Sequence, residues 1–349
     1  MKGLQVKKVM LGMLLVSVIT ALGGCYVYKT LLTKEEQSED GVIVIGYCAD
    51  NLVIERWQRD QEIFIAKAME QGVKVIVHNA NEDNETQRNQ ILSLIKKNVD
   101  VIVVIPYDKD GLKEVIDLAR KEGIKVIAYD RLINNTEIDA YISFDNVKVG
   151  QLQAEALLEK VPEGNYVIIN GSPDDNNSSM FNKGYMLGLA ESIQSNRIKI
   201  VHESWADNWR EEPAYEAVSR LLSRGVHIDA IIAANDRLAE AAINALAEEG
   251  LAGQVMVAGH DANISACQRI VEGTQYVTIY KPIRDLAESA VDLAIQMAKS
   301  EKISYVETIN NGLMDVPYIK LDVLTVTEET LLETVIADGF HLREDIYRE

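Results

Sequence analysis

The side chains best suited to chemistry in this 349-residue chain gather where short apolar runs end: 50–57, 106–110, 129–131, 171–177, 205–209, 235–236, 260–263 and 280–282. These segments are rich in Asp, Asn, Arg, Lys and Trp. Carboxylates, amides and guanidinium groups make the paired hydrogen bonds that a polyol needs, because each hydroxyl both donates and accepts. The C–H face of a pyranose ring is apolar and packs on an aromatic plate. Trp57, Trp205 and Trp209 are the only tryptophans, and all three fall in these segments. Core packing explains any one of them taken alone, whereas three together point to a ligand contact for at least one.

Asp130 and Asp261 have an ordinary alternative, capping the helix that follows a strand. Asp130, followed at once by Arg131 and by no strong helix, fits that alternative less well. Paired carboxylates also serve as acid and base in glycoside cleavage. That ranks below binding, since Arg and Lys neighbours keep such acids ionised. The five histidines are scattered and read as structural or exposed, with His260 the exception. No Gly-rich phosphate loop follows a strand and no GxSxG elbow occurs. Cys25, Cys48 and Cys267 form no CxxC pair and no Cys/His cluster of metal-ligand spacing. Neither a cofactor nor a metal is expected, and Cys48 and Cys267 read as small core residues.

The elements that must position these side chains follow from the hydropathy pattern. Strand candidates are 42–48, 73–79, 100–106 and 124–130, separated by helices near 55–71, 85–97 and 109–122. The alternation restarts with strands at 166–170, 198–203, 229–235 and 254–260 and helices near 178–194, 210–224 and 236–248. Runs that are β-branched and apolar on both faces belong in a parallel sheet covered by helices. Gly72 and Gly123 stand where helix C-caps should fall. Two such series in a chain of this length predict two doubly wound α/β lobes. A helix near 282–299 and a strand-like run at 316–326 then cross back between them.

The formal charge is −19, from 54 acidic and 35 basic residues. That excess excludes a nucleic-acid backbone and an anionic lipid face as partners of the body. Lys2, Lys7 and Lys8 precede an apolar run from Val9 to Gly24, the layout of an export signal. Leu22-Gly23-Gly24-Cys25 resembles a bacterial lipobox, which implies lipidation at Cys25. An uncleaved anchor helix is the alternative, because the run extended through Tyr28 is long enough to span a bilayer. Either way the body belongs outside the cytoplasm. Residues 25–40 read as a tether and 1–24 as signal or anchor.

Long blocks carry a family resemblance: LVIERWQRDQEIF (52–64), IKVIAYDRLIN (124–134), YISFDNVKVGQLQA (141–154), GNYVIINGSPDDNN (164–177), GTQYVTIYKPI (273–283) and TVIADGFH (334–341). Through them the chain resembles the sugar-binding proteins of bacterial ABC importers, and within that family the branch that binds D-xylose. The resemblance implies a type I periplasmic-binding-protein fold with a multi-strand hinge of three crossovers. It implies an N-terminal lobe of 41–146 plus 282–312 and a C-terminal lobe of 147–281 plus 313–349. It implies sugar contacts at Arg56, Trp57, Asp130, Arg131, Asn177, Trp209, Asn235, Asp261 and Lys281. Trp57 and Trp209 are expected on opposite faces of the sugar. His260 departs from the family's Gln, and Cys48-Ala49 from its apolar pair. The implied activity is capture of a monosaccharide, D-xylose, at the extracellular face of the cytoplasmic membrane for an ABC permease. A second reading makes the closed form a signal to a sensor kinase or chemoreceptor. A sugar-processing enzyme comes third.

Overall fold

A computed structural model describes residues 41–348 except 53 and 54. The export-signal segment, Cys25 and the tether lie outside the described residues. The described chain from Ile43 onward forms one compact unit. Its first half runs β1 (Val44–Ala49), α1 (Glu55–Glu70), β2 (Lys74–Asn79), α2 (Asn84–Lys96), β3 (Val101–Val104), α3 (Lys113–Lys121), β4 (Lys125–Tyr129) and β5 (Ala140–Phe144). Then follow α4 (Asn146–Lys160), β6 (Gly164–Asn170), α5 (Asn176–Gln194), β7 (Ile198–Trp205), α6 (Glu212–Ser223), β8 (Ala230–Ala233), α7 (Asp236–Glu248), β9 (Met256–His260), α8 (Ile264–Val271) and β10 (Val277–Tyr280). The chain closes with α9 (Ile283–Ala298), β11 (Glu307–Asn310), β12 (Asp315–Leu321), β13 (Leu324–Val326) and α10 (Arg343–Tyr347).

Two sheets result, in the order β11-β12-β5-β4-β3-β1-β2 and β13-β10-β9-β8-β6-β7. All pairings are parallel except β11 with β12 and β13 with β10. Each sheet reverses its strand order once, between β1 and β3 in the first and between β6 and β8 in the second. A doubly wound sheet opens a crevice at that reversal, beyond the carboxyl ends of its strands. Helices cover both faces of each sheet, which is why β3 and β8 are apolar throughout and β4 is buried from Val126 to Tyr129. On the first sheet α1 and α9 bury Phe64, Ala68, Leu286 and Ala290 against one face, while α2 and α3 cover the other. Gly72 and Gly123 end their helices with φ of 70° and 83°, the left-handed stop that glycine adopts without strain. Among the described residues no helix is long and apolar enough to cross a membrane.

The run at 316–326 departs from expectation. It is not one strand but two, and they lie in different sheets. β12 pairs with β5, Tyr318 opposite Tyr141, and buries Val316 in the first core. β13 pairs with β10 and buries Val326 beside Tyr280 in the second. The first sheet keeps the chain through Leu321, beyond residue 313 where the expected division passes to the C-terminal lobe. The hairpin joining β11 to β12 is fixed by Asn311, whose Nδ2 donates to the carbonyls of Ile133 (3.0 Å) and Thr136 (2.7 Å). Together with the passages β5 to α4 and β10 to α9, the chain crosses three times between the sheets.

In the second lobe α4 and α5 pack at backbone contact. A Cβ at Gly150 would stand 2.1 Å from the Phe181 carbonyl oxygen, and one at Gly184 would stand 2.1 Å from that of Val147. Gly184→Val should therefore cost about 2–3 kcal/mol, the penalty of an overpacked interface. Urea unfolding checks this: the midpoint should fall while the slope stays constant.

Candidate functional site

All nine expected residues line one cleft at the carboxyl ends of both sheets. Arg56 and Trp57 stand on the first turn of α1, Asp130 and Arg131 just past β4. From the second lobe come Asn177 in the first turn of α5, Trp209 in a short turn after β7, Asn235 after β8, Asp261 after β9 and Lys281 after β10. Trp205, the remaining tryptophan, ends β7 at the surface and does not line the cleft.

The backbone decides between cap and cleft for the two aspartates. Asp130 has φ of 61° and Asp261 has φ of 97°, a region that costs a non-glycine residue about 1–3 kcal/mol and persists only where the surroundings over-determine it. Asp130 N–H donates to Ile142 O (2.8 Å), and its carbonyl accepts from Ser143 Oγ (2.7 Å), Tyr141 OH (2.9 Å) and Asn177 Nδ2 (3.1 Å). Asp261 N–H donates to Ile279 O at 2.9 Å. Neither carboxylate caps a helix. Asn263 N–H, ahead of α8, is taken instead by Asp236 Oδ2 at 3.0 Å. Asn235 does cap: its Oδ1 accepts from Leu238 N–H at 2.9 Å, which leaves its amide donors for the cleft. Trp209 reaches its place because residue 171 is glycine. A Cβ there would lie 2.2 Å from the indole ring.

The charges form two clusters. Arg56 bonds Asp130 through Nη2, and its Nη1 lies 3.5 Å from Asp261 Oδ1. Its guanidinium sits 4.4 Å from the centre of the Trp57 ring. Lys281 Nζ is 2.7 Å from Asp261 Oδ1. Arg131 reaches Asp50 Oδ2 (2.7 Å) and, across the lobes, Asp175 Oδ2 (2.8 Å). Burial works against an ionised Asp261, but the cations Lys281 and Arg56 outweigh it and hold the carboxyl well below the usual range. Burial likewise opposes ionisation of Asp130, and Arg56 and Lys281 prevail, lowering it. Both are therefore carboxylates, acceptors of hydroxyl protons rather than acids poised to donate one. His260, 4.4 Å from the Phe181 ring, is driven by burial and then by Lys281 to about 3 and stays neutral.

Asp175, Phe181, Arg237, His260 and Asn263 complete the lining. Asp175 was missed because one oxygen performs the cap its sequence position suggests, to Asn177 N–H (2.9 Å), while the other takes Arg131. Phe181 lies four residues past Asn177, one turn along α5, and that spacing was its signal.

Comparison with known proteins agrees with this geometry. Residues 45–302 match the family described as periplasmic binding protein domain. The chain is 46% identical to the D-xylose-binding periplasmic protein of Haemophilus influenzae, over 91% of this chain and 96% of that one. It is 45% identical to the D-xylose-binding periplasmic protein of Escherichia coli, over 87% and 92%. A solute-binding protein of a carbohydrate transporter from Chloroflexus aurantiacus, solved with D-glucose, superposes with a TM-score of 0.81 at 25% identity, covering 86% of this chain and 97% of that one.

The Arg131 cluster makes a prediction about stability. Arg131→Leu strands Asp50 and Asp175 without their cation and should cost about 3–5 kcal/mol, as breaking a buried pair does. Denaturant titration at two pH values checks it. The loss should shrink at lower pH, where the stranded carboxyls accept protons.

Proposed function

The chain belongs to the periplasmic binding protein family, and we propose that it binds a monosaccharide, D-xylose, between its lobes and presents it to a membrane importer. One observation carries this reading: nine polar and aromatic side chains, scattered from residue 56 to residue 281, converge from both sheets on one cleft. Asp130 and Asp261 accept from ring hydroxyls; Arg56, Arg131, Asn177, Asn235 and Lys281 donate. Trp57 from one lobe and Trp209 from the other offer aromatic faces to the C–H surfaces of the ring. A sugar that touches both lobes binds the closed arrangement better than the open one, and that difference drives closure. The lobes are taken as residues 43–144 with 283–321, and 146–280 with 324–348. The export-type N-terminus with Cys25 supports a body tethered outside the cytoplasm, in reach of an ABC permease that reads both rims.

Calorimetry of the purified protein should show D-xylose binding at micromolar affinity or better, about −8 kcal/mol, with no metal or nucleotide added. Trp57→Ala and Trp209→Ala should each weaken it at least about tenfold, as loss of a buried aromatic contact does. Binding of a hexose without xylose would overturn the pentose assignment. Unchanged affinity in both variants would move the sugar elsewhere.

A further inference from the structure

Asp261 stands in a turn of two successive left-handed residues, with φ of 97° at Asp261 and 52° at Ala262. Neither is glycine, and such a turn persists only where its surroundings hold it. The N–H groups are held from β10 and α7. Asp261 N–H donates to Ile279 O (2.9 Å), Ala262 N–H to Thr278 Oγ1 (3.1 Å) and Asn263 N–H to Asp236 Oδ2 (3.0 Å). The carbonyl of Ala262 is held from much further along the chain. It accepts from His341 Nε2 at 2.7 Å, across 79 residues, and its other neighbour is the Cys267 thiol, a weak donor at 3.6 Å. A carbonyl only accepts, so Nε2 carries the imidazole proton. The peptide plane between Ala262 and Asn263 is thus pinned at both edges, by His341 on its oxygen and by Asp236 on its nitrogen.

His341 arrives on a strap that leaves β13 and packs beneath the turn. Leu331 and Val335 share a core with Ala262, Cys267 and Tyr280, and Tyr280 OH donates to Asp338. The first lobe grips the same strap. Arg59 Nη1 donates to Phe340 O (2.6 Å), and its guanidinium sits 5.0 Å from the centre of the Phe340 ring. Arg59 lies three residues past Arg56 on α1, a neighbouring position on that helix surface, and Arg56 Nη1 is 3.5 Å from Asp261 Oδ1. Two successive strap residues, Phe340 and His341, therefore connect α1 to the Asp261 turn. His341 is only 5% exposed and does not line the cleft, so it acts on the site through that turn alone.

We propose that His341 is a positioning residue for the sugar site: by holding Ala262 O through Nε2–H, it fixes the direction in which Asp261 enters the cleft. The inference rests on the sugar-binding reading above. Without this donor, Ala262 O is left buried with a thiol alone, and a peptide plane with one free edge turns to find another partner. The Asp261 carboxylate sits one residue away and moves with it. Its Oδ1 lies 2.7 Å from Lys281 Nζ, so a loosened turn lets the carboxylate follow the cation instead of meeting a hydroxyl. An acceptor that must be oriented after the sugar arrives adds an ordering cost to binding.

The test is calorimetric titration of D-xylose into the purified protein and its His341 variants, at a temperature where urea unfolding shows each to be fully folded. His341→Leu removes the donor and should bind about tenfold more weakly. His341→Gln, whose amide nitrogen reaches the place of the ring Nε2, should stay within about threefold of the parent. In an Asp261→Ala background, His341→Leu should change affinity by less than about twofold, because no carboxylate is left to aim. A merely structural histidine lowers the unfolding midpoint and leaves the affinity of the folded protein alone. Unaltered affinity in folded His341→Leu would therefore overturn this assignment while leaving the sugar reading in place. A loss of the same size in the Asp261→Ala background would do so too, as would a Gln variant as weak as the Leu one. If His341→Leu does not fold, His341→Asn replaces it, since its shorter amide stops where the ring Nδ1 stands and falls short of Ala262 O. No xylose binding by the unaltered protein would overturn the sugar reading and this inference together.

Discussion

A single guanidinium is the tie on which the cleft depends. Arg56 stands in the first turn of α1, where the helix dipole is unfavourable to a cation. Three carboxyls answer that misplacement: Asp60 from the same helix, Asp130 from the end of β4 and Asp261 from the other lobe. Much of the surrounding architecture exists to aim them. The left-handed backbone at Asp130 and Asp261 turns both side chains away from capping positions, and hydrogen bonds from β5 and from Asn177 hold the first of these turns in place.

Burying this much charge is expensive in isolation, and the pairs offset rather than exceed the desolvation they suffer. Their value is geometric. Each acceptor and donor is already oriented, so little ordering cost would remain for a ligand bound there to cover. Direct contacts between the lobes add to the closed arrangement without any ligand. Tyr107 OH lies 3.1 Å from Asn208 Oδ1, Asn176 Nδ2 lies 2.7 Å from Asn134 Oδ1, and Arg131 reaches Asp175. Closure therefore does not rest on the sugar alone, and a small neutral molecule need supply only the remaining difference between open and closed forms.

Chemically the cleft is a binder. Its carboxylates are held ionised by cations at bonding distance, and His260 is held neutral by burial beside Lys281. Such a set is chemically suited to hydroxyls and a ring face.

Much of this was legible in the residues alone. Apolar runs alternating with amphipathic helices determined two doubly wound lobes, glycine marked the helix ends at 72 and 123, and the polar strand ends located the cleft. Long matching blocks then named nine side chains that line it. What stayed hidden has one physical cause: periodicity records that a residue is buried, not which sheet buries it. The run 316–326 reads as one strand, yet its two parts pair with β5 and β10 in separate sheets. Trp205 and Trp209 are equally apolar and four residues apart, but only the turn after β7, lying on the bare backbone of Gly171, carries one of them into the cleft. Asp60 reads as an ordinary helix residue. The fold seats it between Arg56 and Tyr129, and brings Asp261, 205 residues beyond Arg56, to the same guanidinium. The balance of buried charge is a property of neighbours in space, and tertiary structure alone decides it.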